Sequence, residues 1–188
     1  EEAVIGYVGA YTYAEVISGM TSFFLGARSV CESATMKVRY TGSWYDQGKE
    51  QEAATALIEK DKCVLISQHA DSLGAPTACE LAGVPNVSYN GSTYSAGKNT
   101  FIVSSAINWA PYFQYIIECA VKGQAIDSDW CGDIATNSVV ISGLNQGVAA
   151  EGTEAKLKEA IDAFKAGTLK VFATDKFTVD GKKLDQYM

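Results

Sequence analysis

Only one histidine occurs in the 188 residues, and it stands in a polar run, Gln68-His69-Ala70-Asp71-Ser72. An imidazole with a carboxylate two residues on is the raw material of an acid–base couple, here His69 with Asp71. Positions two apart in a loop do not reliably face each other, so the pair serves equally as hydrogen-bonding groups for a bound molecule. Asp71 or Ser72 would serve equally as a cap for the next helix. Related side chains recur elsewhere: Asp46 ends Ser43-Trp44-Tyr45-Asp46, Asn90 opens Asn90-Gly91-Ser92, Asn108 precedes Trp109, and Tyr11 follows Gly9-Ala10. Flat rings set among a few hydrogen-bonding groups describe a small-molecule pocket rather than a reaction centre.

Motifs for chemistry fail one at a time. No G-x-G-x-x-G follows the first apolar segment and no G-x-x-x-x-G-K-S/T occurs, so nucleotide phosphates have no glycine cradle. Thr93-Tyr94-Ser95-Ala96-Gly97 lacks the first glycine of a nucleophile elbow. Five cysteines, at 31, 63, 79, 119 and 131, include no C-x-x-C pair. With one histidine, this spacing offers no structural zinc set. Cys63, Cys79 and Cys119 fall in apolar registers and read as buried thiols. The expectation is a protein without catalytic residues, cofactor or metal. A net charge of −7 without a cluster of Lys or Arg argues against a nucleic-acid partner. No apolar run is long enough to span a membrane, and no leader with a charged start is visible. The Glu1-Glu2 opening, leading straight into an apolar segment, reads as a cut or processed start.

Those side chains need a scaffold, and the hydropathy pattern supplies one. The run Cys63-Val64-Leu65-Ile66 reads as a strand buried on both faces, as in a parallel sheet covered by helices. His69 and Asp71 then fall at the carboxyl end of a central strand, the edge where ligands lie in open α/β sheets. Further strands are expected at Ala3–Val8, Met36–Tyr40, Val84–Tyr89, Thr100–Ser105, Ser138–Leu144 and Lys170–Ala173, with a hairpin at Phe177–Leu184. Helices are expected around Val16–Ala27, after an Asp46 cap, from Pro76 to a Gly83 stop, from Pro111, and over Thr153–Ala166. Gln124–Thr136 reads as irregular, with Trp130 and Cys131 covering apolar surface. The fold class is α/β, an open parallel sheet with helices on both faces.

Taken in order, VIGYVGAY, TGSWYD with its Ala-rich helix, CVLISQHADS and VSSAINWAPYF resemble the basic-membrane-protein (Bmp, PnrA-like) family of ABC-transporter substrate-binding lipoproteins. The resemblance covers nearly the whole chain. It implies a type I periplasmic-binding-protein fold, in which two Rossmann-like lobes joined by hinge strands close on a ligand, often a purine nucleoside or nucleobase. It also implies an ABC permease as partner and an extracytoplasmic place, periplasmic or lipid-anchored, for the full-length parent. On this resemblance residues 1–105 form the carboxyl-terminal lobe, 106–144 the hinge crossing with a segment of the other lobe, and 145–188 a terminal helix, strand and hairpin. The helix Pro111–Lys122 would then expose apolar surface or be covered by another chain, with self-association of the piece as one outcome. Trp44, Asp46, His69, Asp71, Asn108 and Trp109 would line the cleft wall. Nucleoside-binding members carry an aspartate after the fourth strand and a lysine after the fifth, where this chain has Asn90 and the Ala106–Asn108 stretch. That difference shifts the expected ligand toward a neutral nucleobase or another flat heterocycle. A ligand-sensing ectodomain would use the same fold and pocket, and a hydrolase or deaminase working through His69 and Asp71 is the enzyme rival.

Overall fold

The computed structural model describes residues 3–173, 178–179 and 181–183. In chain order the elements are β1 (Val4–Gly9), α1 (Ala14–Val30), β2 (Thr35–Tyr40), α2 (Gln47–Glu59), β3 (Leu65–His69), α3 (Gly74–Ala82), β4 (Asn86–Tyr89) and β5 (Phe101–Ile107). These are followed by α4 (Ala110–Lys122), β6 (Val139–Ser142), α5 (Thr153–Lys165), and the short strands β7 (Thr178–Val179) and β8 (Lys182–Lys183). Six strands make one sheet in the order β2-β1-β3-β4-β5-β6. The first five are parallel, and β6 runs antiparallel to β5. No described helix is long and apolar enough to cross a membrane.

Alternation along β1 sorts the two faces of the sheet. Val8 and Ile66 pack with Ala54 and Leu57 of α2 and with Ala75, Ala78 and Cys79 of α3, forming the main apolar core. Tyr7 and His69 point the other way, toward Gly19 of α1. Burial pushes the thiols of this core up, Cys63 to about 11 and Cys79 to about 12. They are poor nucleophiles there.

Several elements differ from the sequence expectation. The central strand begins at Leu65, not Cys63, and Val64 is exposed. Gln68 and His69 lie inside the strand rather than in the loop beyond it. β3 buries Gln68 because it finds partners on β4: the Asn86 amide donates to Gln68 Oε1 at 2.8 Å, Gln68 Nε2 donates to Ser88, and Ser88 meets Thr93, whereas neither ring nitrogen of buried His69 has a hydrogen-bond partner among the described residues. A satisfied buried network replaces the apolar pattern that periodicity looks for. β5 continues through Ala106 and Ile107, expected as loop, because β6 pairs with both. Residues 170–173 carry no strand, and Cys131 is exposed, although Trp130 does pack on Tyr112 and Tyr115. The expected hairpin matches β7 and β8, with Phe177, Asp180 and Leu184 outside the described residues.

α4 is amphipathic, and while Tyr112 and Tyr115 meet Trp130, one apolar stripe of it has no partner among the described residues. Trp109, Phe113, Ile117 and Val121, spaced four apart, form a stripe exposed by 56%, 55%, 62% and 82%. Only Cys119 is buried along this helix. Ile117→Ser should therefore change the unfolding free energy of this chain by no more than about 0.5 kcal/mol in urea titration.

Candidate functional site

The chain leaves β1 toward β2 on one side of the sheet, and leaves β3 toward β4 on the other. The carboxyl ends of these two neighbours are thus a topological switch point, where diverging connections open a crevice. Gly9 and His69 lie opposite each other there, and the Ala10 N–H donates to the His69 carbonyl at 3.1 Å.

Three aromatic side chains gather at this edge. Tyr11 and Tyr13, in the turn from β1 to α1, stack with ring centres 5.1 Å apart and planes 23° apart. Both meet Trp44, from the loop after β2, at 5.5 and 6.0 Å. Trp44 in turn sits edge-on to His69 at 6.3 Å. Its carbonyl accepts the Asp71 N–H at 2.8 Å, tying the β2 loop to the β3 loop. Behind this platform the Tyr89 ring, on the last residue of β4, lies 4.0 Å from His69. Glu15 Oε1 lies 3.5 Å from both His69 Nε2 and the Tyr89 hydroxyl, which donates to it.

The expected residues divide accordingly. Trp44 and His69 come together, with Asp46 and Asp71 in the flanking loops. The Asp46 carboxylate caps α2, accepting the Lys49 N–H at 3.0 Å, and that bond holds it below the usual carboxylate range. His69 is only 3% exposed, so it supports the platform from beneath. Asp71 reaches His69 only by charge. No hydrogen bond joins their side chains among the described residues. Asn90 is exposed beside Tyr89 in a left-handed conformation at φ +62°, its N–H donating to the Ser105 carbonyl at 2.7 Å. The structure does not bring Asn108 and Trp109 into the cluster: they follow β5, two strands beyond β3, roughly 10 Å at ordinary strand spacing. The Asn108 amide is taken up locally, accepting the Ala110 N–H and donating to the Asn137 carbonyl. Trp109 belongs to a second aromatic group with Tyr112 and Phe113.

Tyr13, Glu15 and Tyr89 escaped the sequence reading. The available signal was positional, since residues ending parallel strands share one edge of the sheet. Applying that rule to β4 picks out Tyr89 beside His69. The whole edge is an open wall. A depression of about 440 Å³ lies elsewhere, along α2 at Gly48, Gln51 and Thr55. Among the described residues no group of three His, Cys, Asp or Glu side chains could hold a metal ion.

Burial lowers the His69 pKa, outweighing the opposing pull of the Glu15 carboxylate. Its neutral form is therefore the folded form. The sign follows from linkage: stability is fully present above the unfolded value of about 6.5 and is lost as pH falls through the lower folded value. Thermal unfolding at stepped pH below 6.5 should fall faster for wild type than for His69→Gln. Taking the difference cancels the opposite slope of Glu50, whose raised pKa favours the folded state at low pH.

Over 133 residues the chain is 35% identical to a protein of Haloferax volcanii, TsgA13, named as an ABC transporter glucose-binding protein; the match covers 70% of this chain and 34% of that one. It is 33% identical over 113 residues to a purine-binding protein of Brucella abortus, covering 60% of this chain and 32% of that one. The chain thus aligns with about a third of the length of these curated relatives. A solute-binding protein of an ABC transporter system from Conexibacter woesei has the same fold, at a TM-score of 0.73 and 22% identity, over 90% of this chain and 57% of that chain. The model of the family described as Bmp, ABC transporter substrate-binding protein PnrA-like, matches residues 1–169, from β1 through α5. With that match running through every strand of the main sheet, the chain belongs to the Bmp family of PnrA-like ABC transporter substrate-binding proteins.

Proposed function

We propose that this chain is the carboxyl-terminal lobe, residues 1–105, of a two-lobed extracytoplasmic receptor that captures a flat, uncharged purine-class molecule and hands it to an ABC permease without chemistry. Residues 106–144 then form the hinge crossing and a segment of the other lobe, with 145–188 a terminal helix and hairpin. The observation that carries this reading is the Tyr11–Tyr13–Trp44 cluster at the β1–β3 switch point, with Glu15, His69 and Tyr89 behind it. Ring faces attract a heterocycle by stacking. The carboxylates of Glu15, Asp46 and Asp71 accept from N–H and O–H donors and repel a phosphate. The open wall becomes a closed pocket when a facing lobe swings over it, as hinge-bending receptors do. In this reading α4 belongs to the other lobe, and its bare stripe packs against the rest of that lobe.

The purine-binding relative supports the ligand class. The glucose-named relative supports a second reading, because sugar faces also stack on aromatic rings. Calorimetric titration of the full-length protein with adenine, adenosine and glucose separates them. Saturable heat with adenine or adenosine supports the purine reading, and heat with glucose alone replaces it. No heat with any of the three overturns the receptor proposal for both classes.

A further inference from the structure

Glu50 stands where the sequence pattern of α2 leads one to expect a solvated charge, between Lys49 and Gln51, yet it is completely buried. A glutamate is rarely enclosed without compensation, because removing a carboxylate from water costs several kcal/mol. Here the compensation is specific. One oxygen, Oε1, accepts two backbone N–H groups: Asp46, at the end of the loop after β2, and Ser72, in the loop after β3, both at 3.2 Å. The other oxygen has no hydrogen-bond partner among the described residues.

The same knot is drawn tight by its neighbours. The Asp71 N–H donates to the Trp44 carbonyl at 2.8 Å, bonding the two loops to each other directly. The Ser72 hydroxyl accepts the Gly74 N–H at 3.1 Å. At Gly74 itself a Cβ would lie on the Gln47 carbonyl oxygen and 2.9 Å from the Glu50 Cβ, so the start of α3 rests directly on the start of α2. None of these bonds uses the Trp44 ring, only its backbone carbonyl. Their effect is to decide where the ring lies.

We infer that Glu50 is a positioning residue for the candidate site, welding the β2 and β3 loops into one rigid wall through a single carboxyl oxygen and so fixing Trp44 over His69. The geometric part stands without any ligand. The consequence for binding rests on the function proposed above. What the wall needs from Glu50 is an acceptor, not a charge. Burial and the nearby Asp71 carboxylate both push the Glu50 carboxyl up, which agrees with a group valued for its oxygen. Glutamine keeps that oxygen and should replace glutamate. Methionine keeps the volume, removes the acceptor and strands two N–H groups.

The test compares full-length wild type with Glu50→Gln and Glu50→Met. Amide hydrogen exchange is read at Asp46, Asp71 and Ser72, together with the proton contact between the Trp44 and His69 rings and the affinity for adenine and for glucose. In wild type and Glu50→Gln the three amides should be protected at a common rate, with affinities within twofold of each other. In Glu50→Met the Asp46 and Ser72 amides should exchange at least tenfold faster, the ring contact should weaken, and affinity should fall about tenfold. Unchanged exchange and affinity in Glu50→Met would overturn the inference, as would failure of glutamine to restore them. If Glu50→Met does not fold, the pH dependence of the Asp46 and Ser72 amide shifts decides. Asp46 and Asp71 are the other carboxylates facing the knot and Lys49 the cation, and each would move the two amides differently. A shared inflection in wild type that vanishes in Glu50→Gln supports the shared oxygen, and separate or persistent inflections overturn it. Wild type that binds neither probe, with exchange as expected, removes the receptor reading and leaves the weld standing.

Discussion

Replacing Gly74 with alanine will destabilise this protein by about 3 kcal/mol, even though alanine is the better helix former. Propensity and the lost freedom of the unfolded chain both favour alanine, together by about 1 kcal/mol in an open position. Packing decides against it. The added Cβ meets the Gln47 carbonyl oxygen, the Gln51 nitrogen at 2.8 Å and the Glu50 Cβ at 2.9 Å. Two of these three are backbone atoms of α2, which cannot rotate aside like a side-chain tip. Relief requires α3 to lift off α2, and that opens the core where Ala75 and Ala78 meet Ala54 and Leu57. Because the same contact anchors the Glu50 knot, the Trp44 loop should loosen as well. Urea unfolding followed by far-ultraviolet dichroism measures the first effect. A variant as stable as wild type would mean that the helices are not packed as closely as described.

Removing the Trp44 side chain should have the largest effect on binding. Aromatic stacking on a base contributes about 1–3 kcal/mol by alanine substitution. A central value near 2 kcal/mol corresponds to roughly a thirtyfold weaker Kd for adenine. Trp44 is the ring on which the cluster converges, touching Tyr11, Tyr13 and His69. Trp109→Ala should change the same Kd by less than threefold, because Trp109 packs with Tyr112 and Phe113 beyond β5. Equal losses from the two substitutions would move the ligand toward the middle of the sheet edge.

The contrast between these two tryptophans shows what local pattern can and cannot reveal. Both follow a strand, both stand beside polar residues, and in sequence they look equivalent. Pairing order across the sheet separates them, since β1 and β3 are neighbours while β5 lies two strands further on. The alternation of strands and helices was legible because one-sided burial leaves a period in hydropathy. So was the Asp46 cap, a strictly local interaction. The carboxyl end of β3 lies further on than hydropathy suggests because Gln68 and Asn86 satisfy each other inside the core, where period-based reading expects apolar residues. Glu15 and Tyr89 lie 74 positions apart and meet only through the register of the parallel strands. Charged and polar neighbours point Glu50 toward water by pattern alone, and only the folded β3 loop supplies the Ser72 N–H that makes its burial tolerable.

Binding at the β1–β3 edge can be read most directly from ring resonances of the full-length protein during titration with adenine. The account predicts that Trp44, Tyr11 and Tyr13 shift together along one saturation curve while Trp109 shifts little. Saturation that leaves Trp44 and both tyrosines unmoved, or that moves Trp109 alone, would contradict it.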